Sequence, residues 1–319
     1  MTVRRRLPLP SSGVIPPMVT PMHPDGNPDL DSLDRLVDHL IDTGVSGLLV
    51  LGSSGEAGML DGRGRETVLH RTIDRTAGRV HVIAGIPALG TRDCIEMVQR
   101  WTAIGPDSLL VTAPYAFPLS ASELKRHFTL VAEATEIPVL AYNIPVRVQV
   151  ILQPALLVEL ARSGVIKGVK DSSGDIQAAH TLSTLTARVD DFRRYTGSEQ
   201  AMDSWLLAGF DAVVPGLANP FSRFHVELTR RSAAQDWAGA RQVQSAIIEL
   251  FRLYEYQLPG ASFSASAIAA MKEALVQQDV IAHSTVAIPF GQPDEHFREH
   301  VRDVVARANE LMAVTSIAL

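Results

Sequence analysis

The sequence predicts a (β/α)8 barrel with a C-terminal helical extension, an α/β fold, and three observations lead there. Eight short apolar runs recur along the 319 residues, and helical patterns fill most of the gaps between them. The runs are rich in Val, Ile, Leu and Ala and rarely alternate apolar with polar, as strands buried on both faces should. After the eighth run about a hundred residues remain, more than the single helix that closes a minimal barrel requires.

The candidate strands span residues 13–20, 47–51, 80–85, 108–112, 139–143, 165–170, 192–197 and 211–216. The helix expected over 30–43 follows Asp29 and sets Leu33, Leu36, Val37 and Leu40 on one face. A helical stretch follows residue 56, and 91–104, 120–135, 153–163 and 198–208 read as further helices. Ser120 and Glu123 are spaced as a capping box. Strands and helices alternating in this way close into a parallel barrel, expected over 13–220. Amphipathic patterns over 232–256, 264–277 and 293–314 follow without a Gly/Ser linker. Residues 221–319 are therefore expected as helices packed against the barrel's side.

An apolar content of 46% in a chain of this length is ample for a full core. The formal net charge is −6 and no basic stripe occurs, which argues against nucleic-acid binding. The one cysteine, Cys94, excludes an internal disulfide framework and fits a reducing, cytoplasmic compartment. Arg4, Arg5 and Arg6 hint at a twin-arginine signal, but no apolar segment follows them. Residues 1–12 are instead expected as a flexible, solvated arm. No apolar run approaches the ~18 residues of a membrane span.

In such a barrel the chemistry sits at the C-terminal ends of the strands. The run 165–170 ends in a lysine and breaks into a small polar turn, in a chain with 25 Arg and only four Lys. Burial there disfavours the charged amine, and the neutral amine is the form that attacks a carbonyl. Lys167 lies three residues before Lys170, so the two face opposite sides of the strand, and Lys170 is the one nearer the catalytic end. A buried ion pair with Asp171 is the structural alternative. The run 47–51 is followed by Gly52, Ser53, Ser54, Gly55 and Glu56. Backbone N–H groups and hydroxyls in such a turn suit a carboxylate, although an ordinary strand-to-helix turn has the same composition. The run 139–143 leads into Tyr142, Asn143, Ile144, Pro145, Val146 and Arg147. Tyr142 is placed either to move protons or simply to pack, and Arg147 either to clamp a carboxylate or to stand in solvent.

Together these segments resemble the dihydrodipicolinate synthase / N-acetylneuraminate lyase family of class I aldolases. GVIPPMVTP (13–21) resembles the family's first-strand motif, and GSSGE (52–56) its carboxylate-binding turn. Tyr142 to Pro145 resembles the motif that holds the catalytic tyrosine. Residues 168–175 resemble the Schiff-base segment, and the 28-residue spacing from Tyr142 to Lys170 also fits. The resemblance implies that Lys170 forms an imine with pyruvate or a similar 2-keto acid, and that Tyr142 shuttles protons handed on by Ser53. It implies that Ser54 and the Gly52 turn hold the pyruvate carboxylate, with the Val214 backbone beside it. The enamine would add to an aldehyde, or arise by the reverse cleavage. No cofactor beyond the covalent imine is implied, and the family is usually tetrameric, so a homo-oligomer is expected.

The acceptor is less determined. In the synthases a second tyrosine follows the one matched by Tyr115, whereas here Ala116 stands in that place. The Tyr115-to-Pro118 wording is closer to sugar-acid aldolases and neuraminate lyases, while Arg147 matches the arginine that binds aspartate semialdehyde. A synthase-like condensation with that aldehyde is the first expectation. Cleavage of a 2-keto-3-deoxy sugar acid or an N-acetylneuraminate is the alternative, and a barrel without turnover that serves in binding or regulation is a third. His296 and His300 match the spacing H-x-x-E-H, but on an amphipathic helix far from the strand ends, so no metal site is expected. No phosphate-binding or dinucleotide motif occurs.

Overall fold

The computed structural model describes residues 6–315. Seven parallel strands lie side by side in chain order: β1 (Gly47–Val50), β2 (His81–Ile86), β3 (Ser108–Thr112), β4 (Val139–Asn143), β5 (Gly168–Asp171), β6 (Arg193–Thr196) and β7 (Ala212–Val213). The first expected strand, 13–20, forms no continuous ladder. It pairs only at Val14 with Val213 and at Pro17 with Leu49. The reason is chemical: Pro16 and Pro17 have no N–H to donate. The segment still closes the barrel, because Ile15 N–H donates to Val213 O (2.9 Å) and Met18 N–H to Leu49 O (2.9 Å).

The helices that wrap this sheet are α1 (Leu30–Asp42), α2 (Gly62–Thr76), α3 (Thr91–Ile104), α4 (Ala121–Glu133), the short α5 (Pro145–Val148), α6 (Pro154–Arg162), α7 (Ile176–Thr186), α8 (Met202–Leu207) and α9 (Ala218–Ala233). Their starts follow local chemistry. The Asp29 carboxylate accepts from Ser32 N–H, and Ser120 with Glu123 forms the complete capping box. The extension continues with α10 (Trp237–Leu250), α11 (Phe263–Gln277) and α12 (Glu295–Val314). Of the helix expected over 232–256, residues 232–233 end α9 and most of the rest is α10 with a 3-10 turn at Phe251–Tyr254. Gln235 turns the chain with φ +59°, and Asp236 caps α10 by accepting from Gly239 N–H.

Two apolar cores result. The larger lies between the sheet and the helices and continues into the extension. The smaller fills the barrel with Ile15, Leu49, Ile83, Leu110, Leu140, Tyr142, Tyr195, Ala212 and Val214. These side chains recur at every second residue, the parity of strand positions that face inward. Residues 6–12 are irregular but pinned rather than free: Arg6 pairs with Glu136, Leu7 N–H donates to Asp107, and Tyr195 Oη donates to Pro10 O (2.8 Å). Residues 1–5 of the expected arm lie outside the described residues.

Candidate active site

Strand parity places the central pair. Leu140 and Tyr142 both face the barrel interior, and Tyr142 stands opposite Lys170 in the β4–β5 register. Lys170 is 6% exposed, whereas Lys167 is exposed, as the three-residue spacing requires. Lys170 Nζ lies 4.3 Å from the centroid of the Tyr142 ring, a cation–π contact. Asp171 turns the other way and makes no ion pair with Lys170 among the described residues. Its carboxylate accepts from Asn143 Nδ2 (2.8 Å), Ser173 N–H (2.8 Å) and Ser173 Oγ (2.6 Å). Burial pushes the Asp171 pKa up, and these hydrogen bonds work against that rise. The side-chain bond from Asn143 to Asp171 therefore ties the end of β4 to the end of β5, which fixes Tyr142 and Lys170 relative to each other.

The 52–56 turn and Tyr142 share the wall of a cavity of about 280 Å³. Gly55 N–H donates to Gly52 O (3.1 Å), Glu56 N–H to Ser53 O (3.2 Å), and Thr20 Oγ1 to Gly55 O (2.7 Å). Gly55 is needed at its position, since a Cβ there would come within 2.9 Å of Met18 O. Gly52, Ser53, Tyr115, Tyr142 and Arg147 line the cavity, while Ser54 and Val214 lie outside its lining. Lys170 is likewise outside that lining and packs directly against Tyr142. Ser53 and Tyr142 share the cavity, but no hydrogen bond joins them among the described residues. Arg147 is exposed on α5 and has no carboxylate partner among the described residues. The walls are otherwise mainly apolar, with Leu51, Ile86, Leu110, Ile144 and Val148 among them.

The sequence reading placed no lining residue in the extension, which supplies Ser264 and Ile268 of α11 and Phe290 of the loop after it. The extension therefore does not only pack against the barrel's side; part of it reaches over the mouth. Contacts so distant in sequence leave no local pattern. Glu199 was also missed. Its carboxylate accepts from Gly216 N–H (2.8 Å) and Leu217 N–H (2.9 Å). The residue as a whole is half-buried. Burial pushes its pKa up to about 7, opposed by those two N–H groups and by the charge of Lys170.

Among the described residues no three His, Cys, Asp or Glu side chains are grouped to hold a metal ion. His300 is occupied otherwise, bonding Arg252 O (2.7 Å) through Nε2 and packing on Tyr256. No helix is long and apolar enough to cross a membrane among the described residues.

The sequence profile of the dihydrodipicolinate synthetase family matches residues 10–308. The 4-hydroxy-tetrahydrodipicolinate synthase of Laribacter hongkongensis is 33% identical over 236 residues, 74% of this chain and 80% of that protein. The enzyme of the same name from Methanospirillum hungatei is 30% identical over 297 residues, 92% of this chain and 98% of the relative. Among solved structures, a prophage protein of the dihydrodipicolinic acid synthase family from E. coli K12, in complex with pyruvate, is 27% identical. It superposes with a TM-score of 0.84 over 96% of this chain and 99% of that one. The sialic acid aldolase of Ruminococcus gnavus shares the fold at 20% identity, with a TM-score of 0.86 over 96% of this chain and 99% of that one. With the profile covering nearly the whole chain and relatives at this identity, the protein is a (β/α)8 barrel and an aldolase-type lyase that belongs to the dihydrodipicolinate synthetase family.

Proposed function

We propose that this protein forms an imine between Lys170 Nζ and C2 of pyruvate or a closely related 2-keto acid, with loss of water. Loss of a C3 proton converts the imine to an enamine, whose C3 adds to an aldehyde carbon. Hydrolysis then releases the product and restores the amine. Run backwards, the same steps cleave a 2-keto acid. The observation that carries this reading is the buried Lys170 amine packed 4.3 Å from the Tyr142 ring at the C-terminal end of β5. A buried amine beside a phenol suits nucleophilic attack coupled to proton transfer.

In this reading Tyr142 moves protons at the reacting oxygens, with Ser53 feeding it. Ser54 and the Gly52 turn take the pyruvate carboxylate, and the Val214 backbone flanks it. Tyr115 and Arg147 contact the acceptor from the rim. No cofactor takes part and the chain works in the cytoplasm as a homo-oligomer. Arg147, a guanidinium with no carboxylate partner among the described residues, favours an acceptor that carries a carboxylate, such as aspartate semialdehyde.

A second reading rests on a separate observation. A cavity of about 620 Å³ beyond Gly197 is lined by Ser172, Ser198, Glu199, Gln200, Tyr254 and Phe263, among others. Gly197 is its link to the lysine, since a Cβ there would meet Lys170 Cε at 3.4 Å. Hydroxyl, carboxylate and amide groups beside aromatic faces suit a polyhydroxylated chain, which favours cleavage of a 2-keto-3-deoxy sugar acid.

Borohydride treatment with pyruvate tests the common core. A mass increase on Lys170 is expected in the native protein, and none in Lys170→Ala. An unmodified native lysine would end the imine reading. An aldehyde panel with pyruvate then separates the acceptors. Arg147→Ala should damage use of aspartate semialdehyde by about tenfold or more while leaving the pyruvate adduct intact. Equal damage to both steps would remove Arg147 from acceptor binding.

A further inference from the structure

Glu56 closes the 52–56 turn and lines the same cavity, while its carboxylate points to the extension. The carboxylate meets the ammonium of Lys272, from the middle of α11, with both side chains at 0% exposure. Glu56 Oε2 has no donor among the described residues other than that ammonium. Glu56 Oε1 accepts from Ala287 N–H (2.7 Å), and Lys272 Nζ also donates to Thr285 O (2.7 Å). Gln292 bonds both the N–H and the carbonyl of Val286, and Phe290 N–H donates to Ala287 O (2.8 Å). Three pieces of chain thus meet at one buried charge pair, the turn, α11 and the 285–287 backbone, and the Phe290 corner is tied to the last of them. Helix α11 and the Phe290 corner also supply Ser264, Ile268 and Phe290 to the cavity wall.

The backbone of Glu56 needs this support. Its φ is +54°, in the left-handed region that a side chain with a Cβ adopts at a cost. The same residue donates its N–H to Ser53 O and accepts from Met59 N–H (2.8 Å), so its placement fixes the direction in which the Gly52-to-Gly55 N–H groups point. On the opposite flank the turn is held by Thr20 and by the close approach of Gly55 to Met18. The ion pair is the anchor on the extension side.

We propose that Lys272 and Glu56 are positioning residues for the keto-acid site: the buried pair sets the 52–56 turn for the substrate carboxylate and locks it to the part of the extension that closes the cavity. This rests on the imine reading above. Neither residue touches the reacting atoms, so the pair acts on keto-acid affinity and leaves the chemistry of Lys170 unaltered once the site is filled.

Removing one partner alone leaves an uncompensated buried charge, which is strongly destabilising. The test therefore uses Glu56→Gln with Lys272→Met, which removes both charges and nearly keeps the volume. Borohydride trapping is run across pyruvate concentrations, beside thermal unfolding. The double variant is expected to fold, to reach the native adduct yield at saturating pyruvate, and to need at least about tenfold more pyruvate for half of it. An unchanged half-saturating concentration overturns the proposal, as does a reduced yield at saturation with unchanged half-saturation. A second measurement needs no variant: in the native protein pyruvate should slow amide exchange both at 52–56 and at 285–290. Slowing at 52–56 alone overturns the coupling. If the native protein traps no pyruvate at all, it is the imine reading that fails, before either comparison is made.

Discussion

At the scale of single residues, two groups outside the imine pair have consequences that solution experiments can read. Glu199 is the first. Burial favours its neutral form, so its pKa of about 7 lies above that of a glutamate in the unfolded chain. Between those two values the folded state keeps a proton that the unfolded state has released. Its contribution to stability therefore falls as pH rises from the usual carboxylate range through about 7. Glu199→Gln removes that slope. Melting temperatures of the two proteins, taken from about pH 5 to about pH 8, should diverge with the variant gaining relative to the native chain. Parallel curves would mean that Lys170 and the Gly216 and Leu217 N–H groups already hold the carboxylate ionised. Cys94 is the second. It is 2% exposed, and burial pushes its thiol up to about 12. A thiol held protonated and enclosed is a poor nucleophile. Ellman's reagent should leave the native protein unmodified and react once denaturant unfolds it; reaction at a native rate near that of free cysteine would contradict the packing around α3.

At the scale of elements, what was legible in the sequence follows from where each element buries its surface. β1 to β5 could be read as apolar runs because strands inside a barrel are covered on both faces and carry the signal in every residue. Residues 13–20 carry the same apolar signal, yet two prolines replace a ladder by isolated bridges. Composition shows that the segment is buried; its hydrogen bonding depends on the missing N–H groups. Parity set Lys167 and Lys170 on opposite sides and nearness to the strand end picked Lys170, which stands opposite Tyr142 in the register. Asn143 stood in its motif without a role and Asp171 was weighed only as an ion-pair partner of Lys170, because the bond between them joins two strand ends and neither end shows it alone. That bond makes a prediction at this scale. Asn143→Ala leaves the buried Asp171 carboxylate one donor short and frees the end of β4 from the end of β5. A loss of about 1–3 kcal/mol in stability is expected, measured by denaturant titration. Trapping of pyruvate on Lys170 should slow as well. A stable variant with native trapping would show that the Ser173 bonds suffice.

At the scale of the whole molecule, the extension and the rim are what the sequence conveyed least. Amphipathic patterns over 264–277 and 293–314 showed that helices pack on something, but an apolar face does not record its partner. Lys272 was a missed signal: a lysine among Ala, Ile, Met and Leu on a helix with ten buried residues had to find a buried carboxylate. The rim poses the remaining question. Apolar side chains stand in solvent on the segments that follow β2, β3 and β4: Leu89, Phe117 at 76% exposure, Val146 of α5 at 82% and Ile151. These segments follow neighbouring strands in the sheet order, so the residues fall on one side of the mouth. Exposed apolar side chains gathered on neighbouring segments mark a candidate interface, and the homo-oligomer proposed above assigns it to a second copy. Tyr115, 44% exposed in the same loop as Phe117, would then be covered by that copy beside its own cavity. Sedimentation velocity at micromolar concentration should give a dimer or tetramer. Phe117→Asp combined with Val146→Asp should shift the protein to a smaller species with unchanged far-ultraviolet circular dichroism, because neither side chain contributes to the core. A native protein that sediments as a monomer, or a variant that keeps the native assembly, would place the interface elsewhere or remove it.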